Sequence, residues 1–171
     1  MINRICFYGG PGCGKSTTAH DLFSLLKREG FHVEFSDEKI KGFVYQNQVP
    51  TDEQQLELFV RQIRDEANYL DQVKQSPVVV CESSLLTYWY YANRANGAYR
   101  KQILDMALSW EARYNGLHIF IERPNMRFSE LGRWHDYEES LEIDDEIRAM
   151  LVACKEIKDR LIIHGFQSVS I

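Results

Sequence analysis

The segment GGPGCGKSTT, residues 9–18, lies between an apolar run, RICFYG, and a stretch with leucines at helical spacing. A strand that breaks at glycines directly into a helix leaves few folds open. The spacing Gly9-x-x-x-x-Gly14-Lys15-Ser16 is that of a loop that wraps phosphate. Glycines let successive backbone N–H groups turn inward, and the following helix adds its positive end. In such a loop Lys15 reaches the terminal phosphate oxygens and Ser16 holds Mg²⁺. The segment therefore assigns Gly9, Gly10, Gly12, Cys13, Gly14, Lys15, Ser16 and Thr17 to binding ATP, with Mg²⁺ as its companion. Cys13 has two readings. A thiol near a helix N-terminus can be acidified, but a small spacer suits the position better.

The rest of the chain continues the alternation. Strands are predicted at about residues 3–8, 32–36, 78–81 and 118–122, and a last one in FQSVSI after Gly165. Helices are predicted at 15–29, with Leu22, Leu25 and Leu26 on one face, and from a capping box at Thr51 and Gln54. The second of these carries Leu56, Phe59, Val60 and Ile63 on one side. Further helices are predicted at 84–95, 98–114 and about 141–164. The last starts acidic and ends with Lys155, Lys158 and Arg160, which complements the helix dipole. The expected fold class is α/β: one three-layer domain over residues 1–171 around a five-stranded parallel sheet.

Composition narrows the function classes. At 171 residues there is material for one well-buried core. No run of 18 apolar residues occurs, so no membrane span is expected. Cys6, Cys13, Cys81 and Cys154 are scattered, without metal-ligand spacing, so neither a structural metal nor a disulfide framework is expected. A reducing, cytoplasmic setting fits such cysteines. The net charge of −5 argues against bulk adhesion to nucleic acid and leaves room for a local basic groove.

Three further segments bear on whether the phosphoryl group moves to an acceptor. In FSDEKIKGFVYQ, Asp37 and Glu38 follow the second strand on the sheet edge that carries the phosphate loop. A carboxylate there can take the proton of an attacking hydroxyl, although Asp37 could equally cap a helix. In VVVCESS, Glu82 ends a buried strand and is a candidate Mg²⁺ ligand with Ser16. In IERPNMRFSELGRWHDYEES, Arg123, Arg127 and Arg133 could close as a lid, about residues 123–140, over the charge of the transition state. Trp134 and His135 could stack on a base or simply pack.

The motifs GGPGCGKSTTAHDL, VEFSDEKIKGFVYQ and VVVCESSLL, followed by the ERP…RF…LGR…IDDEI series, resemble small P-loop kinases often found in bacteriophages. That group is similar to nicotinamide riboside kinases and, more distantly, to nucleoside and nucleotide kinases. Some of its members resemble enzymes that phosphorylate 5-hydroxymethyluracil within DNA, a step in thymidine hypermodification. The resemblance spans roughly residues 3–155. It implies that Glu38, rather than Asp37, is the base, that Glu82 stands at an Asp-Ser step, and that Arg133 is the lid arginine. Lys39 stands where an aromatic is usual, Ser84 where proline is frequent and Phe128 where tyrosine is common; the first two leave the acceptor's identity open.

The segment LLTYWYYANRANGAYRKQ interleaves aromatics with cations. Tyr88, Tyr91, Arg94, Arg100 and Lys101 are the candidate acceptor-binding residues, suited to a stacked base and a phosphate backbone. The plainer reading packs Leu85, Tyr88, Trp89 and Ala92 into the core and leaves Tyr90, Tyr91 and Arg94 to face elsewhere. The expected activity is transfer of the γ-phosphoryl of ATP to a hydroxyl of a nucleoside-like acceptor. The leading specific acceptor is 5-hydroxymethyluracil in DNA, followed by a free nucleoside, nucleotide or riboside. A regulatory NTPase that transfers nothing is the rival from another class.

Overall fold

In the computed structural model, residues 2–71, 77–123 and 133–165 are described. Five strands, β1 (Arg4–Tyr8), β2 (Val33–Ser36), β3 (Val78–Cys81), β4 (Gly116–Glu122) and β5 (Leu161–Gly165), form one sheet in the order β2-β3-β1-β4-β5. Every pairing is parallel. The helices are α1 (Lys15–Arg28), a short α2 (Lys41–Tyr45), α3 (Asp52–Leu70), α4 (Leu85–Arg94), α5 (Arg100–Arg113) and α6 (Tyr137–Ala153).

The period of two in the strands sorts side chains into two cores. Phe7, Val80 and Ile121 meet Ala19, Leu22, Phe23 and Leu26 of α1 on one face. Cys6, Tyr8, Val79, Cys81 and Phe120 meet residues of α3, α4, α5 and α6 on the other. The expected three-layer α/β sandwich is therefore present. Ile143, Ile147 and Leu151 of α6 are fully buried, each worth roughly 1.5–3 kcal/mol of burial. The capping box at Thr51 and Gln54 forms as expected and opens α3. Leu25 and Val60, expected on buried faces, are exposed at 47% and 37%, since α1 and α3 each touch the sheet along a narrower stripe.

The C-terminal region differs from expectation. Helix α6 begins four residues early, at an Asp136 cap that accepts from the Glu139 N–H at 2.8 Å, and it ends at Ala153. Residues 161–164, predicted helical, and Gly165, its expected stop, form β5 instead. The outer edge of β4 offers a ladder of unpaired backbone groups, and Leu161, Ile162 and Ile163 pair with it in register. Branched side chains suit that pleated edge, so tertiary pairing overrides the helical pattern. Lys155, Lys158 and Arg160 consequently lie beyond α6 and do not serve its dipole. FQSVSI falls outside the described residues.

Strands β1 and β3 lie side by side, and their connections leave for opposite sides of the sheet. Ligands of open α/β sheets bind at such a switch point, at the C-terminal strand ends. Beneath it, β1 is anchored by a buried polar cluster. The Arg4 guanidinium lies 2.7 Å from Glu66 and 2.8 Å from Glu111, all fully buried. His118 Nε2 lies 3.2 Å from Glu111, and the Tyr8 hydroxyl donates to Ser84 Oγ at 2.6 Å. Burial by itself would raise the Glu111 pKa, but Arg4 and His118 outweigh it and hold it at about 2.

Candidate active site

The loop after β1 carries positive φ at Gly9, Gly12 and Gly14, the conformations that let it fold back on itself before α1. Gly9 also has no room for a side chain: a Cβ there would lie 2.5 Å from Cys13 Sγ. Cys13 is fully buried in the cluster with Ile121 and Phe7, which supports the spacer reading. Lys15 Nζ bends across the loop and donates to the carbonyls of Gly9 at 2.6 Å and Gly10 at 3.1 Å. An ammonium parked on its own loop, with no carboxylate in ion-pair contact among the described residues, is a cation that suits phosphate oxygens.

Two later elements pin the loop from below. Asp144 of α6 accepts from the Gly10 N–H, and its other oxygen pairs with Arg123 Nε at 2.7 Å. Arg123 also donates to the carbonyls of Pro11 at 3.0 Å and Ser140 at 3.2 Å. This corrects the expected role of Arg123. Its guanidinium is spent on the underside of the loop and does not line the cleft above.

A cleft of about 780 Å³ opens over the strand ends. One wall is the phosphate loop, with Gly12, Gly14, Lys15, Ser16 and Thr17. Glu38, Tyr88, Tyr91, Arg94 and Arg133 also line it, so five of the expected side chains converge on one space with Lys15. Asp37 does not. It is exposed and paired with Lys39 at 2.5 Å. Partial burial would raise its pKa, and the Lys39 contact outweighs that and lowers it. The Glu38 carboxyl moves the other way: desolvation and the neighbouring Glu82 carboxylate raise its pKa, while Lys15 and Lys41 oppose them.

At the end of β3, Glu82 is 1% exposed. Its Oε1 accepts from Ser16 Oγ and from Lys41 Nζ at 2.6 Å, and its Oε2 accepts from the Glu38 N–H at 3.3 Å. A hydroxyl and a carboxylate in contact make a hard-oxygen pair that fits Mg²⁺. Burial would raise the Glu82 pKa, and the Lys41 and Ser16 contacts bring it below the usual carboxylate range. Lys41 is absent from the sequence expectation. Its only signal there was position, three residues past Glu38 in FSDEKIKGFVYQ.

On α4, Tyr90 departs from the reading that left it facing away from the core. Tyr90 is buried and donates to Glu146 at 2.6 Å, whereas Tyr88 and Tyr91 face the cleft. Burial raises the pKa of both cleft tyrosines. The rings of Tyr91 and His135 lie nearly parallel, 12° apart, with centroids separated by 6.4 Å. Tyr45 and Val49 line the same cleft although 81% and 76% exposed. Arg94 is bound by carboxylates, with Glu146 at 2.5 Å, Glu139 at 3.5 Å and Glu142 at 3.9 Å. Arg100 and Lys101, expected beside the acceptor, do not line the cleft. Arg100 donates to the Gly97 carbonyl at 2.9 Å at the start of α5, and Lys101 is exposed there. Arg127 lies outside the described residues.

No helix among the described residues is long and apolar enough to cross a membrane. No curated protein matches the chain. A family model described as an AAA domain matches residues 4–159, from the first residue of β1 to just short of β5. With that match, the five-stranded parallel sheet and the phosphate loop at its switch point, the chain belongs to the AAA-domain family of P-loop NTPases.

Proposed function

We propose that this protein is a phosphotransferase that moves the γ-phosphoryl of ATP to a hydroxyl of a small, nucleoside-like acceptor. The observation that carries this reading is Glu38: its carboxyl lines the cleft that also holds Lys15, Ser16 and the aromatic wall of Tyr88 and Tyr91. Water needs no aromatic wall, so a carboxylate beside Tyr88 and Tyr91 suits a bulkier hydroxyl acceptor than the water of an NTPase. In transfer, the acceptor hydroxyl gives its proton to Glu38 as its oxygen bonds to the γ-phosphorus. The bond from that phosphorus to the bridging oxygen breaks, and ADP leaves with the electron pair. The Lys15 ammonium turns from the Gly9 and Gly10 carbonyls to the phosphate oxygens. Ser16 and Glu82 would hold Mg²⁺, which would supply charge neutralisation on those oxygens.

A free acceptor is favoured over a base within DNA. The volume of about 780 Å³ is within the usual range of small-molecule sites. Of the cations expected to track a phosphate backbone, Arg94 is neutralised by three glutamates, and Arg100 and Lys101 lie off the cleft. Incubation with γ-labelled ATP and a panel of free nucleosides, nucleotides, nicotinamide riboside, plain DNA and hydroxymethyluracil-containing DNA tests the assignment. Label in a free nucleoside-like compound is expected. Label in the modified DNA alone would shift the acceptor to DNA, and phosphate release with no labelled acceptor would favour the NTPase reading.

A further inference from the structure

The position prepared for the divalent cation already has a cationic neighbour. Glu82 Oε1 receives the Ser16 hydroxyl and, at 2.6 Å, the Lys41 ammonium. Lys41 is the first residue of the short helix α2, and its side chain is 47% exposed. Glu82, by contrast, is 1% exposed. A buried carboxylate is costly without a partner, and Lys41 is the cation that pairs with it.

We propose that Lys41 is the resident counter-ion of the metal position, keeping Ser16 and Glu82 assembled and setting metal affinity by competing for the same carboxylate oxygen. The inference rests on the phosphotransferase reading of the cleft and adds a residue that neither the motifs nor the family match assigns. A divalent ion bound to Ser16 Oγ and Glu82 draws on the oxygen that Lys41 now holds. Two cations cannot both keep that short contact, because their mutual repulsion acts at a few ångströms in a partly dry site. The half-exposed four-carbon stem lets the ammonium swing away without moving the backbone. Lys41 also lines the cleft beside Glu38 and Lys15. A released ammonium therefore remains on the wall that faces the phosphates, where negative charge awaits it. The geometry makes Lys41 a positioning residue: it acts on the metal through Glu82.

The test compares wild type with Lys41→Met and Lys41→Arg, using ADP as the nucleotide and MgCl₂ as the metal. Calorimetry gives the ADP affinity with Mg²⁺ and with chelator, and the ratio is the metal enhancement. Losing a charge-assisted competitor should raise that enhancement about tenfold in Lys41→Met, and Lys41→Arg should stay near wild type. Thermal unfolding supplies a second readout with Mg²⁺ alone: the variant should start less stable and gain more from the ion. An unchanged or smaller enhancement in Lys41→Met, with ADP still bound, would overturn the role of Lys41. A wild type that binds no ADP under any condition would instead overturn the phosphotransferase reading.

Discussion

Arg123 and Asp144 pair at 2.7 Å directly beneath the phosphate loop, and the second oxygen of Asp144 takes the Gly10 N–H. The loop thus borrows its rigidity from the end of β4 and the middle of α6. Asp144→Ala takes the carboxylate away from the nearly buried Arg123 guanidinium, which keeps only neutral carbonyl contacts to Pro11 and Ser140 among its hydrogen bonds described above. We expect a loss of about 3–5 kcal/mol in urea unfolding, together with ADP binding at least ~10-fold weaker. Full stability in the variant would show that the pair does not support the loop.

The roles of the two neighbouring carboxyls are separable. Glu38→Gln keeps the shape of the cleft wall and removes the proton acceptor, so the transfer rate should fall by roughly 10²–10⁴ with little change in ADP affinity. Asp37→Asn should cost far less, because Asp37 is exposed and held by Lys39. The reverse pattern in steady-state kinetics would exchange the two assignments.

Lys15→Ala should abolish transfer and weaken ATP binding, since the ammonium is the phosphate-facing cation of the loop. Unchanged turnover would remove the loop from the mechanism. Replacing Arg100 and Lys101 together by alanine should leave turnover on a free nucleoside within about twofold, because neither lines the cleft. A large rise in KM would place the acceptor across the start of α5.

Acid sensitivity should report on Glu111. Its pKa is about 2 in the folded protein, below the ordinary glutamate value of about 4.3. A lowered carboxylate pKa contributes stability that is complete above the unfolded value and is lost as pH falls toward the folded value. Unfolding free energy should therefore drop between about pH 4.3 and pH 2. Glu111→Gln should be less stable by about 3 kcal/mol at pH 7 and flatter over that acid range. An equal acid slope in both proteins would rule Glu111 out as the source.

Gly9→Ala tests the tightest turn of the loop. An added Cβ would meet Cys13 Sγ at 2.5 Å and the Ile121 carbonyl at 3.2 Å, on a residue with φ of +139°. Lower thermal stability and weaker ADP binding are expected together; a variant with wild-type ADP affinity would show that the loop tolerates a different path.

Local pattern carried much of this protein. The glycine spacing of residues 9–14, the period of two in RICFY and VVVC, and the Thr51–Gln54 cap are set by neighbours in the chain. The structure contains each of them. Other assignments depend on partners distant in sequence. Residues 161–165 form a strand because β4 presents an open edge, a fact that no local window contains. Tyr90, expected to face away from the core, is buried because Glu146 of α6 sits within reach of its hydroxyl, whereas Tyr91 lines the cleft. Arg123 and Arg133 resemble each other in sequence, yet one is committed to Asp144 under the loop and the other lines the cleft above it. The sequence by itself determined that a phosphate loop stands between a buried strand and a helix, and that acidic residues follow the next two strands. Only the tertiary structure decided that Arg123 serves the loop while Arg133 lines the cleft, and that Lys41 pairs with the Glu82 carboxylate beside Ser16. Those choices rest on charge pairs and burial between segments that meet only when the sheet is assembled.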